Sequence, residues 1–267
     1  MGIHRVTLLV LTALAITIVS CGPSQEELAR VKLDRANVFL QNQDTTRALL
    51  ELDSIPVLFP KASYSVGAAK NLKDDIQWDL LHRYENELDS VKIQIEILEK
   101  NFIKEKTEYD KYVEYTHKRQ DFDRRWNKSF LKVHLDERGE IYFSSNYHSE
   151  QWINHTGIRV YDGPDQAKTD RVELDDANNH RSDFMEAKWE RVTFRDGKEN
   201  DVIEFIANNT GRRLKAVFLG EKYYYIILEE YDKRAFREAY LLSKAIKRRT
   251  WLEEQTESLE AALQIDG

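Results

Sequence analysis

Histidine and carboxylate gather in one stretch of the chain: His148 and His155, then Asp175-Asp176 with His180. Imidazole and carboxylate are the side chains that hold divalent metals or pass protons near neutral pH. Asp175, Asp176 and His180 are therefore the residues that could do such chemistry. Their spacing matches no zinc signature, and a metal site needs ligands on a fixed scaffold. Solvated loop residues are the better reading, and neither metal nor cofactor is expected. The sequence has no Gly-x-Ser-x-Gly elbow, phosphate loop, dinucleotide fingerprint or His-Glu-x-x-His helix. A non-enzymatic role is expected, and a hydrolase built on Asp175, Asp176 and His180 ranks last.

Aromatic residues offer a second kind of chemistry, stacking on a ligand. Tyr223-Tyr224-Tyr225 could line such a surface, as could Trp152 or Tyr161. In a strand Tyr223 and Tyr225 face one way and Tyr224 the other, so one side of the run must enter the core. A structural role for the run is favoured over a ligand-binding one.

The only cysteine, Cys21, follows an uncharged apolar run from Val6 to Val19 that is preceded by His4 and Arg5. These are the parts of a secretory signal. At ~15 residues the run is shorter than the ~20 that a membrane-spanning helix needs, so cleavage is expected over anchoring by a helix. Ile18-Val19-Ser20-Cys21 resembles the bacterial lipobox, with Ile18 where leucine is usual. The resemblance implies removal of residues 1–20 and acylation at Cys21, with palmitate-type chains as the membrane anchor. Two or three such chains hold a protein stably where one does not. By the same resemblance Gly22, in place of aspartate, implies the outer membrane, on its periplasmic or its surface face.

The chain carries 40 basic and 47 acidic residues, a net charge of -7. That balance argues against nucleic acid, whose partners need a basic face, and against non-specific attraction to anionic lipid. Disulfides are excluded by the lone cysteine. Charged residues are 33% of the chain and there are only 10 glycines and 4 prolines, a composition that favours long helices.

The elements that would position these groups divide the chain. Residues 21–60 read as an anchor and helical hairpin, opened by Ser24 and Glu27 at capping-box spacing and resumed at Asp44. The hairpin resembles a single tetratricopeptide repeat in Ala36, Ala48 and Pro60, with Phe39 and Leu52 in the large-residue places. The motif does not recur, so a lone packed hairpin is preferred to a peptide-binding groove. Residues 61–128 read as one long coiled-coil helix, because Leu81, Tyr84, Leu88, Val91, Ile95, Leu98, Phe102, Glu105, Tyr109, Tyr112 and Thr116 alternate steps of three and four. Residues 232–267 read as a C-terminal helix, seamed by Leu242, Ala245, Arg249, Leu252, Thr256, Leu259 and Leu263, that packs antiparallel on the long one.

Between them, residues 129–231 change to a period of two and read as an antiparallel β-meander of six to eight strands, a curved sheet or small barrel. Strands are expected at 130–135, 140–143, 189–194, 201–207, 213–219 and 222–229. The polar stretch 162–184 reads as a long loop. The fold class is α+β. The expected function is structural or interactive: a lipoprotein presenting its β-domain to a protein partner on a coiled-coil stalk. The alternative, of another class, is a carbohydrate or small-ligand binder beside an outer-membrane importer. That alternative requires exposed aromatic residues in the β-domain.

Overall fold

A computed structural model of the chain describes residues 23–108, 110–120, 127–184 and 186–264. Residues 1–22, and with them the signal segment and Cys21, lie outside this range. Five α-helices and ten strands in two antiparallel sheets make an α+β fold among the described residues. The chain divides into two compact units, residues 1–83 with 257–267, and residues 84–256.

The first unit is helical. Helices α1 (Gln25–Gln41) and α2 (Thr45–Leu58) form the expected hairpin. Ser24 and Glu27 close a reciprocal capping box, and Asp44 accepts from the Arg47 amide to start α2. Ala29, Ala36 and Ala48 are fully buried with Leu52 and Ile55. Small residues at these positions let the two backbones approach closely. Helix α2 continues through Pro56 to Leu58, inside the expected hairpin.

Helix α3 (Ser63–Glu99) is 37 residues long, about 55 Å at 1.5 Å per residue. The seam from Leu81 to Ile95 is the side it buries, with Leu81, Val91 and Ile95 least exposed. The helix does not run on to residue 128. Past Glu99 the chain forms strand β1 (Phe102–Glu105), pairs it with β2 (Glu114–His117), and ends the excursion in a 3-10 turn, Lys118–Gln120. The step-of-three-and-four pattern there rested on aromatic and β-branched residues that fit a half-buried strand better than a helix. Phe102, Tyr115 and His117 share one face, their rings meeting edge to face. Tyr109 and residues 121–126 lie outside the described range.

In the second unit β1 and β2 join β3 (Phe130–Asp136), β4 (Ile141–Ser149), β7 (Asn179–Phe184) and β8 (Ala187–Phe194) in a six-stranded sheet of order β1-β2-β3-β4-β8-β7. A four-stranded sheet, β10-β9-β5-β6, is made of β5 (Gly157–Asp162), β6 (Asp165–Lys168), β9 (Lys215–Leu219) and β10 (Tyr223–Ile227). The segment 201–207 is not a strand but helix α4 (Val202–Asn208). Its buried residues Val202, Ile203, Ile206 and Ala207 follow the helical period, which the β-branched composition had masked. The stretch 162–184 likewise contains β6 and β7. Both are edge strands with polar sequences, and polar edges carry no alternation to read.

The inner faces of both sheets, α4, the start of α5 (Glu230–Leu263) and the end of α3 share one core, built on Leu131, Phe143, Val192, Phe194, Ile158, Phe218, Ile206 and Phe236. Helices α3 and α5 meet antiparallel within this unit. Tyr84 packs edge to face on Trp251, 5.3 Å between ring centres, and one turn on Glu87 takes two 2.7 Å hydrogen bonds from Arg248. Buried Gln120 hydrogen-bonds along β3: its side chain accepts from Val133 N and donates to Leu131 O and to Asp232.

Candidate functional site

The residues singled out in sequence do not converge. Asp176 accepts from Asn178 and holds Lys198 at 2.9 Å. The Lys198 ammonium, helped by the Asn178 amide, keeps its carboxyl down at about 2. Asp176 therefore closes a turn. His180 is exposed on edge strand β7, opposite Arg191. His148 lies on the outer face of the six-stranded sheet with its ring against Trp189, 4.4 Å between centres. No group of three or more His, Cys, Asp or Glu is placed to hold a metal among the described residues.

His155 is different, and it gathers two residues that the sequence did not flag. Its Nδ1 lies 2.6 Å from Glu190 Oε2 and its Nε2 2.7 Å from Ser145 Oγ. Since ionised carboxylates only accept, Nδ1 carries a proton and donates it to Glu190, while Nε2 meets the Ser145 hydroxyl. This is the acid, base and hydroxyl order of a nucleophilic triad. All three side chains are buried, however, with Ser145 and His155 wholly out of contact with solvent. The rings of Tyr147 and Phe218 close over the imidazole at 6.3 and 5.1 Å. Catalysis would require a substrate carbonyl within reach of Ser145 Oγ, and the core occupies that space.

The network instead positions a loop. Glu190 Oε1 accepts from Ile153 N and Asn154 N, and Oε2 from His155 N. Asn154 adopts a left-handed conformation, φ 50°, which turns successive amides toward one point, a backbone nest that normally takes an anion. Here the anion is the protein's own carboxylate. Burial alone would raise the Glu190 pKa; the hydrogen bonds from the His155 side chain and the backbone amides outweigh it and hold the group below the usual value. The loop so fixed reaches the β9–β10 turn, where Ile153 O accepts from Glu221 N at 2.7 Å and Thr156 N donates to Leu219 O at 2.9 Å.

That loop forms one wall of an open groove of about 830 Å³ on the outer face of the four-stranded sheet. Asn154, Thr156, Gly220 and Glu221 line this wall, Arg159, Gln166 and Lys168 the strands, Arg171 and Glu173 the opposite side, and Tyr223 the end. Strand alternation sends Tyr224 and Ile226 against the core. It leaves Tyr223, Tyr225 and Ile227 in a row on the outer face, 61%, 53% and 47% exposed. The expectation that one side of the tyrosine run is structural holds for Tyr224, while its neighbours face solvent. Trp152 and Tyr161 are half-buried.

Basic side chains cluster on the strands of this face, while Glu173 and Glu221 also line the groove. Arg159 stands directly opposite Lys168, and Tyr161 opposite Lys215. The Arg159 and Lys215 cations lie 5.2 and 5.9 Å from the Tyr161 ring centre. Arg159 Nε is buried with no hydrogen-bond partner. The acidic residues nearby are engaged: Glu173 with Arg171, Glu221 with Asn154, and Asp162 and Asp165 with Arg212. The face combines exposed rings with two strand cations, Arg159 and Lys168, that have no carboxylate partner among the described residues, and can bind an anionic group beside an apolar ring face. No family model matches this chain, and no characterised protein or solved structure was found to be similar to it.

Proposed function

We propose that the chain is a lipid-anchored lipoprotein of the bacterial outer membrane, held by acyl chains on Cys21, whose β-domain is an interaction module and not an enzyme. The observation that carries this reading is the row Tyr223, Tyr225 and Ile227, three large side chains left uncovered on an outer sheet face. Contiguous exposed apolar residues on a folded domain mark a binding surface.

Two experiments test it. Metabolic labelling with a clickable palmitate analogue should tag the wild type in the outer-membrane fraction, and Cys21→Ser should lose both label and fraction. A photo-crosslinking residue in place of Tyr225 in intact cells should then yield a discrete adduct with an envelope component. An unlabelled wild type, or a Tyr225 probe without adduct, would overturn the corresponding half of the reading.

A second reading, a carbohydrate-binding protein serving an outer-membrane importer, is favoured by one further observation. Tyr223, the first residue of the same row, lines the polar groove together with Arg159 and Lys168, as a sugar site requires. A glycan adduct at the Tyr225 probe would select it.

A further inference from the structure

We infer that the groove on the outer face of the four-stranded sheet takes an acidic saccharide, with its anionic group between Arg159 and Lys168 and a sugar ring laid along Tyr223 and Tyr225. This rests on the second reading above and names its ligand class.

The argument begins with a local conflict. Arg159 and Lys168 are a directly opposed cross-strand pair on an antiparallel ladder, where Cβ atoms lie ~5 Å apart and like charges repel. Neither has a carboxylate partner among the described residues, in a protein whose net charge is -7. An acidic chain that places two cations face to face, with Lys215 on the adjoining strand β9, sets aside a position for an anion. The buried, unpartnered Nε of Arg159 is the same deficit in hydrogen-bond terms, since a buried donor is ordinarily satisfied.

The rings select the class. Tyr223 and Tyr225 are two residues apart on β10, so they sit ~7 Å apart on one face, a strip parted from the Arg159 and Lys168 pair by strand β9, where Val217 lies between Tyr225 and Arg159. A pyranose offers an apolar C–H face to stack on such a strip and hydroxyl or carboxylate groups at its edge. A folded protein partner is the poorer fit, because protein interface cores are depleted in lysine, whereas Lys168 lies on the groove lining itself.

The test is calorimetric titration of the full mature lipoprotein in detergent with oligogalacturonate, hyaluronan oligomers and heparin fragments, against maltohexaose and polyglutamate. At least one acidic saccharide should bind tenfold or more tighter than maltohexaose. Lys168→Gln and Arg159→Gln should each weaken it at least tenfold, and Tyr225→Ala should weaken saccharide binding. Lys168→Glu should abolish binding and raise the melting temperature, because it turns a repulsive pair into an attractive one. That rise shows that the variant folds.

Maltohexaose binding as tightly as the acidic saccharides, unchanged in Lys168→Gln, would overturn the anionic assignment and leave the carbohydrate reading standing. Polyglutamate binding equally well, indifferent to Tyr225→Ala, would overturn the saccharide in favour of an acidic polypeptide. No binding of any saccharide by folded protein would overturn both.

Discussion

Glu190 holds His155 at two points, its Oε2 accepting from the backbone amide at 2.8 Å and from Nδ1 at 2.6 Å. Glu190 belongs to β8 of the six-stranded sheet, and His155 leads into β5 of the four-stranded one. A single buried carboxylate thus ties the two sheets together and sets the loop that walls the groove. The likeness of Ser145, His155 and Glu190 to a triad arises because the same requirement, a fixed imidazole tautomer, is met by the same chemistry whether the ring works or only holds.

Replacing Glu190 by Gln keeps the volume but puts an NH2 group where two donors now meet one oxygen. A buried donor left without an acceptor costs ~1–3 kcal/mol, and the new NH2 group faces two of them. Glu190→Gln should therefore lose about 3 kcal/mol in urea unfolding, and Ser145→Ala, which removes one hydroxyl from between His155 Nε2 and Val192 O, about 1 kcal/mol. A loss below 1 kcal/mol for Glu190→Gln would show that the carboxylate does not hold the sheets.

Stability should fall as the solution is acidified, in two stages. Burial first, then the Lys132, Arg191 and Arg195 cations, push the His134 pKa down to about 3, against ~6.5 for an unfolded histidine. The unfolded chain therefore binds a proton between those values that the folded chain refuses, and stability drops as pH falls from ~6.5. His117, lowered by burial despite its hydrogen bond to Glu238, acts in the same direction. Glu190, also lowered, adds its loss below the unfolded carboxylate value of ~4.3, as the folded-state group takes up its proton. His134→Asn should flatten the upper part of the profile of urea midpoint against pH, and Glu190→Gln the lower. A wild-type profile flat from pH 7 to 4 would contradict the assignment.

Where apolar periodicity decides structure, the sequence was readable. The hairpin, the α3 seam up to Ile95 and the strands at 130–135 and 189–194 bury the residues that their periods select. Reading failed where composition and period disagreed. Phe102 to Thr116 kept a helical step by coincidence while its residues preferred a strand, and 202–207 had strand residues on a helical period. The groove and the network were illegible for another reason. Arg159 and Lys168 are nine residues apart, and Ser145, His155 and Glu190 span two sheets, so only register brings them together. The one signal within reach was the outward parity of Tyr223 and Tyr225.

Gly220 should be the least replaceable residue of the groove wall. A Cβ built on it would lie 2.0 Å from Ile153 O and 2.9 Å from His155 N. Both atoms are backbone, and neither can retreat. Glu190 fixes the amides on either side, and Ile153 O is already the acceptor for Glu221 N. Overpacking of an ordinary core costs ~1–3 kcal/mol, more where nothing can yield. Gly220→Ala should accordingly lose about 3 kcal/mol or more in urea unfolding. Gly211→Ala, where a Cβ meets nothing within 4 Å, should be near neutral by the same measurement. If Gly220→Ala proved equally neutral, the β9–β10 turn would have to be free to move away from Ile153, and the groove wall would not be the rigid surface that its hydrogen bonds describe.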